Sequence, residues 1–142
     1  MIEEIRARVS EKLQELNGVL AMRRTVAGSG SPQGTAPYLF HQGDDLTQLV
    51  LTPRYPLALI ASSLQKRRPQ ARIGVVARGC DIRALVEMAK RYQVDPNRLT
   101  ILGITCTAQE AEECYCADPV PHVEGWPDAN VIAPSDLSLI HI

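Results

Sequence analysis

Four cysteines, Cys80, Cys106, Cys114 and Cys116, carry the most specific chemistry in this chain. A thiolate is a soft metal ligand or a nucleophile, whereas a buried thiol behaves as a small hydrophobe. The spacing C-x25-C-x7-C-x-C differs from the tight run of a bacterial ferredoxin, and its closest pair is not the usual knuckle of a structural zinc site. Four readings follow: an iron–sulfur cluster on four sulfurs, tetrahedral zinc, inert core cysteines, or a nucleophilic Cys80 at a helix N-terminus. For the last, the sequence suggests no cysteine–histidine pairing with His41, His122 or His141.

The elements around these cysteines decide whether they meet. Arg72-Ile-Gly-Val-Val-Ala77 is a short, nearly continuous apolar run of the kind a strand buried on both faces shows. Beyond Arg78-Gly79-Cys80 the period changes, and Ile82, Leu85, Val86 and Ala89 share one helical face. Asp81 in the first turn and Lys90-Arg91 in the last suit the helix dipole. Leu99-Thr-Ile-Leu-Gly-Ile-Thr105 reads as a second buried strand, so a right-handed parallel βαβ unit is expected. Its two strands end at one edge of the sheet, where Cys80 and Cys106 would face a common volume. Helix N-termini beside both cysteines, with Arg78 and Arg83 near, are expected to lower the thiol pKa values. Thr107 and Glu110 form a capping-box signature for a short acidic helix, after which Cys114 and Cys116 can fold back over the same edge.

Elsewhere, Ile2, Ile5, Val9, Leu13 and Leu16 predict an amphipathic helix over 2–16, stopped by Asn17-Gly18. Val19 to Thr25 reads as a strand, 27–37 as a mobile loop, and Tyr38-Leu-Phe-His and Leu49-Val-Leu as brief extended pieces. A helix opening at Pro56, with apolar face Leu57, Ile60, Ala61 and Leu64, ends in the basic run Lys66-Arg-Arg-Pro69, which reads as a solvated surface. From Ala117 onward five prolines and glycines are expected to break up any regular element. The predicted organisation is an α/β domain of two or three layers with a mostly parallel sheet over 1–121, followed by an irregular tail over 122–142, read as a truncated end.

At 142 residues, 45% hydrophobic and 22% charged, the composition is that of one globular domain. Fifteen basic against sixteen acidic residues argue against a nucleic-acid coat. No apolar run approaches the roughly 20 residues of a membrane span, and no signal-peptide profile opens the chain. A cytoplasmic protein is expected, and there thiols more naturally bind metal than pair.

Gly-Val-Val-Ala-Arg-Gly-Cys80-Asp-Ile-Arg-Ala-Leu-Val-Glu, Ile-Leu-Gly-Ile-Thr-Cys106 and Cys114-Tyr-Cys116-Ala-Asp-Pro together resemble the coenzyme F420 hydrogenase/dehydrogenase beta-subunit family. The closest likeness is to its bacterial iron–sulfur branch of formate dehydrogenase and hydrogenase beta subunits. Gly43-Asp-Asp-Leu and Leu51-Thr-Pro-Arg-Tyr-Pro-Leu-Ala58 add to the resemblance, which spans roughly 38–121. It implies one 4Fe-4S cluster on Cys80, Cys106, Cys114 and Cys116, with Arg78, Gly79, Asp81 and Arg83 as the surrounding cofactor-contacting residues. It also implies electron transfer to a flavin (FAD) or to partner subunits of hydrogenase, formate dehydrogenase or heterodisulfide-reductase type. Many relatives close with C-x-x-C where this chain has C-x-C, and no G-x-G-x-x-G fingerprint marks a flavin site.

Overall fold

The strand with the most continuous apolar run, β4 (Ile73–Ala77), is buried at every position and lies within the sheet. The computed structural model describes residues 2–25, 34–52, 54–113 and 120–132. In chain order its elements are α1 (Ile2–Lys12), β1 (Gly18–Arg24), β2 (Thr35–Phe40), β3 (Leu49–Val50), α2 (Ala58–Arg67), β4, α3 (Gly79–Lys90), β5 (Leu99–Ile104), α4 (Ala108–Glu113) and β6 (Ala129–Ile132). The fold is α/β with a mixed sheet ordered β2-β1-β4-β5-β6, in which β1, β4, β5 and β6 run parallel. The expected βαβ unit is β4-α3-β5, paired in register from Ile73↔Leu99 to Ala77↔Gly103.

Alternation along the central strands creates two cores, because successive side chains point to opposite faces. Ile73, Val75 and Ala77 of β4 with Leu99 and Ile101 of β5 pack against Leu57, which caps α2, Ala58 and Ala61 of α2, and Ile82 and Leu85 of α3. Val76, Leu102 and Ile104 face the other way, onto Ile5, Val9 and Leu13 of the α1 region. Three layers result, with α1 on one face of the sheet and α2 and α3 on the other. Gly74 makes room there, since a Cβ would stand 3.1 Å from Leu16 Cδ1.

Several boundaries depart from the sequence reading. The first helix ends at Lys12 and continues as turns, still bonded from Leu16 N to Lys12 O at 3.0 Å. The buried face of α2 is Ala58, Ala61, Ser62 and Gln65, with Ile60 and Leu64 only half-buried. Two polar residues occupy that face because loop backbone satisfies them: Ser62 Oγ donates to Gln93 O at 2.8 Å, and Gln65 both donates to Asp95 O and accepts from Asp95 N. β1 pairs with β4 only over Gly18–Leu20, and β3 takes the side of β1 released beyond it at Met22 and Arg23. Pro37 lies in β2, the edge strand, where a missing N–H is tolerated.

The expectation of no regular element after Ala117 is corrected by β6, which pairs with β5 from Ile101↔Ala129 to Ile104↔Ile132. Residues 129–132 therefore belong to the sheet rather than to an irregular tail. The approach to it is anchored by Trp126 Nε1, donating to Leu99 O at 2.7 Å, and by Asp128 Oδ2, accepting from Thr100 Oγ1 at 2.7 Å. Prolines broke the sequence pattern, yet a four-residue strand needs only a partner's open edge. Among the described residues no helix is long and apolar enough to cross a membrane.

Candidate metal centre at the carboxyl edge of the sheet

Cys80 and Cys106 each stand three residues beyond a directly paired position, Ala77 on β4 and Gly103 on β5. Adjacent parallel strands thus bring both cysteines to the same edge of the sheet. Cys80 is the second residue of α3 and is exposed, whereas Cys106 follows β5 and is buried. The expected Thr107–Glu110 capping box is present in both halves, with Glu110 N donating to Thr107 Oγ1 at 3.1 Å and Thr107 N to Glu110 Oε1 at 3.0 Å. Cys114 and Cys116 lie outside the described residues.

The residues around Cys80 are bound into the framework. Arg78 is the N-cap of α3 and 8% exposed; its Nη2 donates to Leu51 O at 2.8 Å and to Glu110 Oε2 at 3.1 Å. Its Nε is buried without a hydrogen-bond partner. Asp81, also buried, accepts from Arg78 N at 3.1 Å and from Leu57 N at 3.3 Å, tying the first turn of α3 to the start of α2. Burial pushes the Asp81 carboxyl up against the pull of those two N–H groups. Gly79 is buried at the first position of α3, and Arg83 is exposed on its next turn.

Both thiols are raised above the ordinary value of 9.0, correcting the expectation that helix N-termini would lower them. For Cys80 the first cause is partial loss of hydration, the second the adjacent Asp81 charge; backbone N–H groups and Arg83 pull the other way. For Cys106 burial again leads, opposed by Arg78 and reinforced by Glu110 and by Cys80 itself. The effect of Cys80 on Cys106 places the two in one electrostatic neighbourhood. At Cys106 the guanidinium of Arg78, which would favour the thiolate, is already paired with Glu110, and desolvation leads.

Two residues of this edge carried no signal in the sequence for the roles they take. Glu110 was visible as a helix cap, but the 3.1 Å ion pair of its second oxygen with Arg78 joins residues 32 apart and has no local signature. Pro121 packs over Gly103, where a Cβ would come within 3.2 Å of Pro121 Cβ. A cleft of about 350 Å³ opens beside Arg78, lined also by Leu51, Thr105, Thr107, Glu110 and Glu113. With two carboxylates against one guanidinium it does not attract an anion.

For a soft metal group the donor chemistry fits in part: the described residues supply two sulfurs at one edge, with a buried cation near Cys106. Among the described residues no group of three or more His, Cys, Asp or Glu side chains is arranged to hold a metal ion. The class of protein so defined is a three-layer α/β domain with a thiol pair at its carboxyl edge. No protein-family model matches the chain.

Proposed function

We propose that this chain is an iron–sulfur electron-transfer module, with Cys80, Cys106, Cys114 and Cys116 as the ligands of one 4Fe-4S cluster. On this reading it is similar to the coenzyme F420 hydrogenase/dehydrogenase beta subunits and works as one part of a relay. The observation that carries it is that neighbouring parallel strands lead Cys80 and Cys106 to one edge of the sheet. When bound, the group supplies one-electron storage. The chain's own residues hold the sulfurs, keep water from Cys106 and leave Cys80 at the surface, where a partner subunit can approach. Arg78, Gly79, Asp81 and Arg83 orient the first turn of α3 and set the local charge, and substrate and flavin chemistry belong to the partners. Both thiols must lose a proton on binding, so loading is favoured by higher pH.

Anaerobic purification with iron and sulfide reconstitution tests this reading. About four irons and four sulfides per chain are expected for such a cluster, with visible absorption and an EPR signal on reduction, lost in Cys80→Ser and in Cys106→Ser. A colourless, EPR-silent protein with four freely titratable thiols after reconstitution would sink it.

A non-redox scaffold, with zinc or no metal, is the second reading, and the Arg78–Glu110 ion pair favours it because the two charges neutralise each other without any ligand. One stoichiometric zinc resistant to replacement by iron would establish that alternative.

A further inference from the structure

The opposite, amino edge of the sheet carries a feature that the electron-transfer reading does not use. Helices α2 and α3 both end there, beside the loops that enter β4 and β5. The end of α3 is a Schellman cap, with Gln93 N donating to Met88 O at 2.8 Å and Tyr92 N to Ala89 O at 3.1 Å. The left-handed position of that cap, φ 59°, is held by Tyr92, where glycine or asparagine is the usual occupant. Tyr92 is 96% exposed, so no burial offsets the strain. A large aromatic on solvent at a position that favours glycine points to use rather than to folding.

Tyr92 stands on the rim of a cleft of about 500 Å³, with Lys66, Pro69, Pro96 and Arg98 around it and Gln65 in its wall. The reciprocal hydrogen bonds between Gln65 and the Asp95 backbone, 3.0 and 2.8 Å, brace that wall. Seven cations lie at this end along the chain: Lys66, Arg67 and Arg68 closing α2, Arg72 before β4, Lys90 and Arg91 closing α3, and Arg98 before β5, of which Lys66 and Arg98 line the cleft beside Asp95. Lys90 pairs with Glu87 and Arg98 with Asp95; Lys66, Arg67, Arg68 and Arg91 have no carboxylate within ion-pair distance among the described residues. In a chain of net charge −1 this is a local concentration of positive charge. The dipoles of two helix C-termini account for cations in their last turns, but not for Tyr92.

We propose that this amino-edge cleft docks an acidic segment of a partner polypeptide, with Tyr92 as its aromatic contact, Lys66 in the cleft, and Arg67, Arg68 and Arg91 at the adjoining helix ends as its charge complement. The proposal does not rest on the cluster, which would lie at the other edge of the sheet. A polypeptide suits the cleft better than a nucleic acid does. The chain lacks the overall positive field that gathers phosphates, one aromatic is not a stacking track, and Pro69 and Pro96 offer apolar contact.

Fluorescence anisotropy of the full chain at 50 and 150 mM salt provides the test. The probes are a labelled 12-residue peptide of alternating Asp/Glu and Leu/Tyr, its Lys-for-acid counterpart, and a labelled dT 12-mer. The expected result is binding of the acidic peptide at least about tenfold tighter than either other probe. Tyr92→Gly should weaken it about fivefold or more while raising Tm, and Arg67→Ala/Arg68→Ala should weaken it and flatten its salt dependence. Equal or tighter binding of the oligonucleotide would overturn the proposal in favour of a nucleic-acid surface. No peptide binding, or a Tyr92→Gly protein that binds as the parent does, would overturn it outright.

Discussion

Arg78 and Glu110 form an ion pair of 3.1 Å with side chains 9% and 16% exposed, joining the end of β4 to the first turn of α4. One carboxylate here performs two tasks, since Glu110 Oε1 caps Thr107 N while Oε2 accepts from Arg78. The guanidinium also holds Leu51 O, so strand β3 and its exit are drawn into the same junction. Cys80 and Cys106 flank this junction on the chain. Their positions therefore depend on it.

Removing the carboxylate is expected to destabilise the fold by about 2–4 kcal/mol, because a buried guanidinium would lose its counter-charge. Glu110→Ala should show the full loss in urea denaturation. Glu110→Gln retains a cap acceptor and should lose about half as much. Equal stability of Glu110→Ala and the parent would show that the pair contributes nothing.

The two cysteines should respond differently to substitution in the metal-free protein. Cys106→Ser places a hydroxyl in a buried site and is expected to cost about 1–2 kcal/mol, whereas Cys80→Ser, at an exposed position, should stay within about 0.5 kcal/mol. Thermal unfolding under anaerobic, chelated conditions reads the difference. A larger loss for Cys80→Ser would contradict the observed burial.

Thiol reactivity follows from the raised pKa values. A group held above its ordinary value of 9.0 is almost wholly protonated at neutral pH, so alkylation of Cys80 by iodoacetamide should be slow at pH 7 and still climbing at pH 9. Cys106 should lag further because it is buried. A rate already level by pH 8, followed by mass spectrometry of the metal-free protein, would mean an activated thiolate instead.

Acid should weaken the α3–β5 connection through Asp95. Its carboxyl is lowered below the ordinary 3.8, first by the Asn97 N–H and then by Arg98, so its folded pKa lies below the unfolded one. Such a group contributes stability above the unfolded value and loses it as pH falls through the folded value. The stability gap between the parent and Asp95→Asn should accordingly narrow as pH is lowered from 6 to 3. A gap that widens would reverse the sign of the assignment.

Gly103→Ala tests whether residues after 120 are part of the fold. The added methyl would meet Pro121 Cβ at 3.2 Å and Ile82 Cδ1 at 3.5 Å, so a loss of about 1 kcal/mol is expected. Trp126→Phe, which leaves Leu99 O without its 2.7 Å donor, should cost about 1 kcal/mol as well. Both would be neutral if 120–132 were an unattached tail.

Local pattern alone determined much of this protein. The apolar runs at 72–77 and 99–105, the helical face Ile82-Leu85-Val86 between them and the Thr107–Glu110 cap are statements about neighbouring residues, and each reappears as β4, β5, α3 and the start of α4. The parallel geometry that brings Cys80 and Cys106 to one edge followed from the handedness and length of that unit. What the sequence left undecided depends on partners distant along the chain. Ser62 and Gln65 are buried on α2 because a loop about 30 residues away offers its backbone to them, and β6 exists because β5 had an open edge. The thiol pKa values rose first because tertiary contacts removed water from both cysteines, and at Cys106 the pairing of Arg78 with Glu110, 32 residues apart, adds a balance that proximity in sequence does not encode.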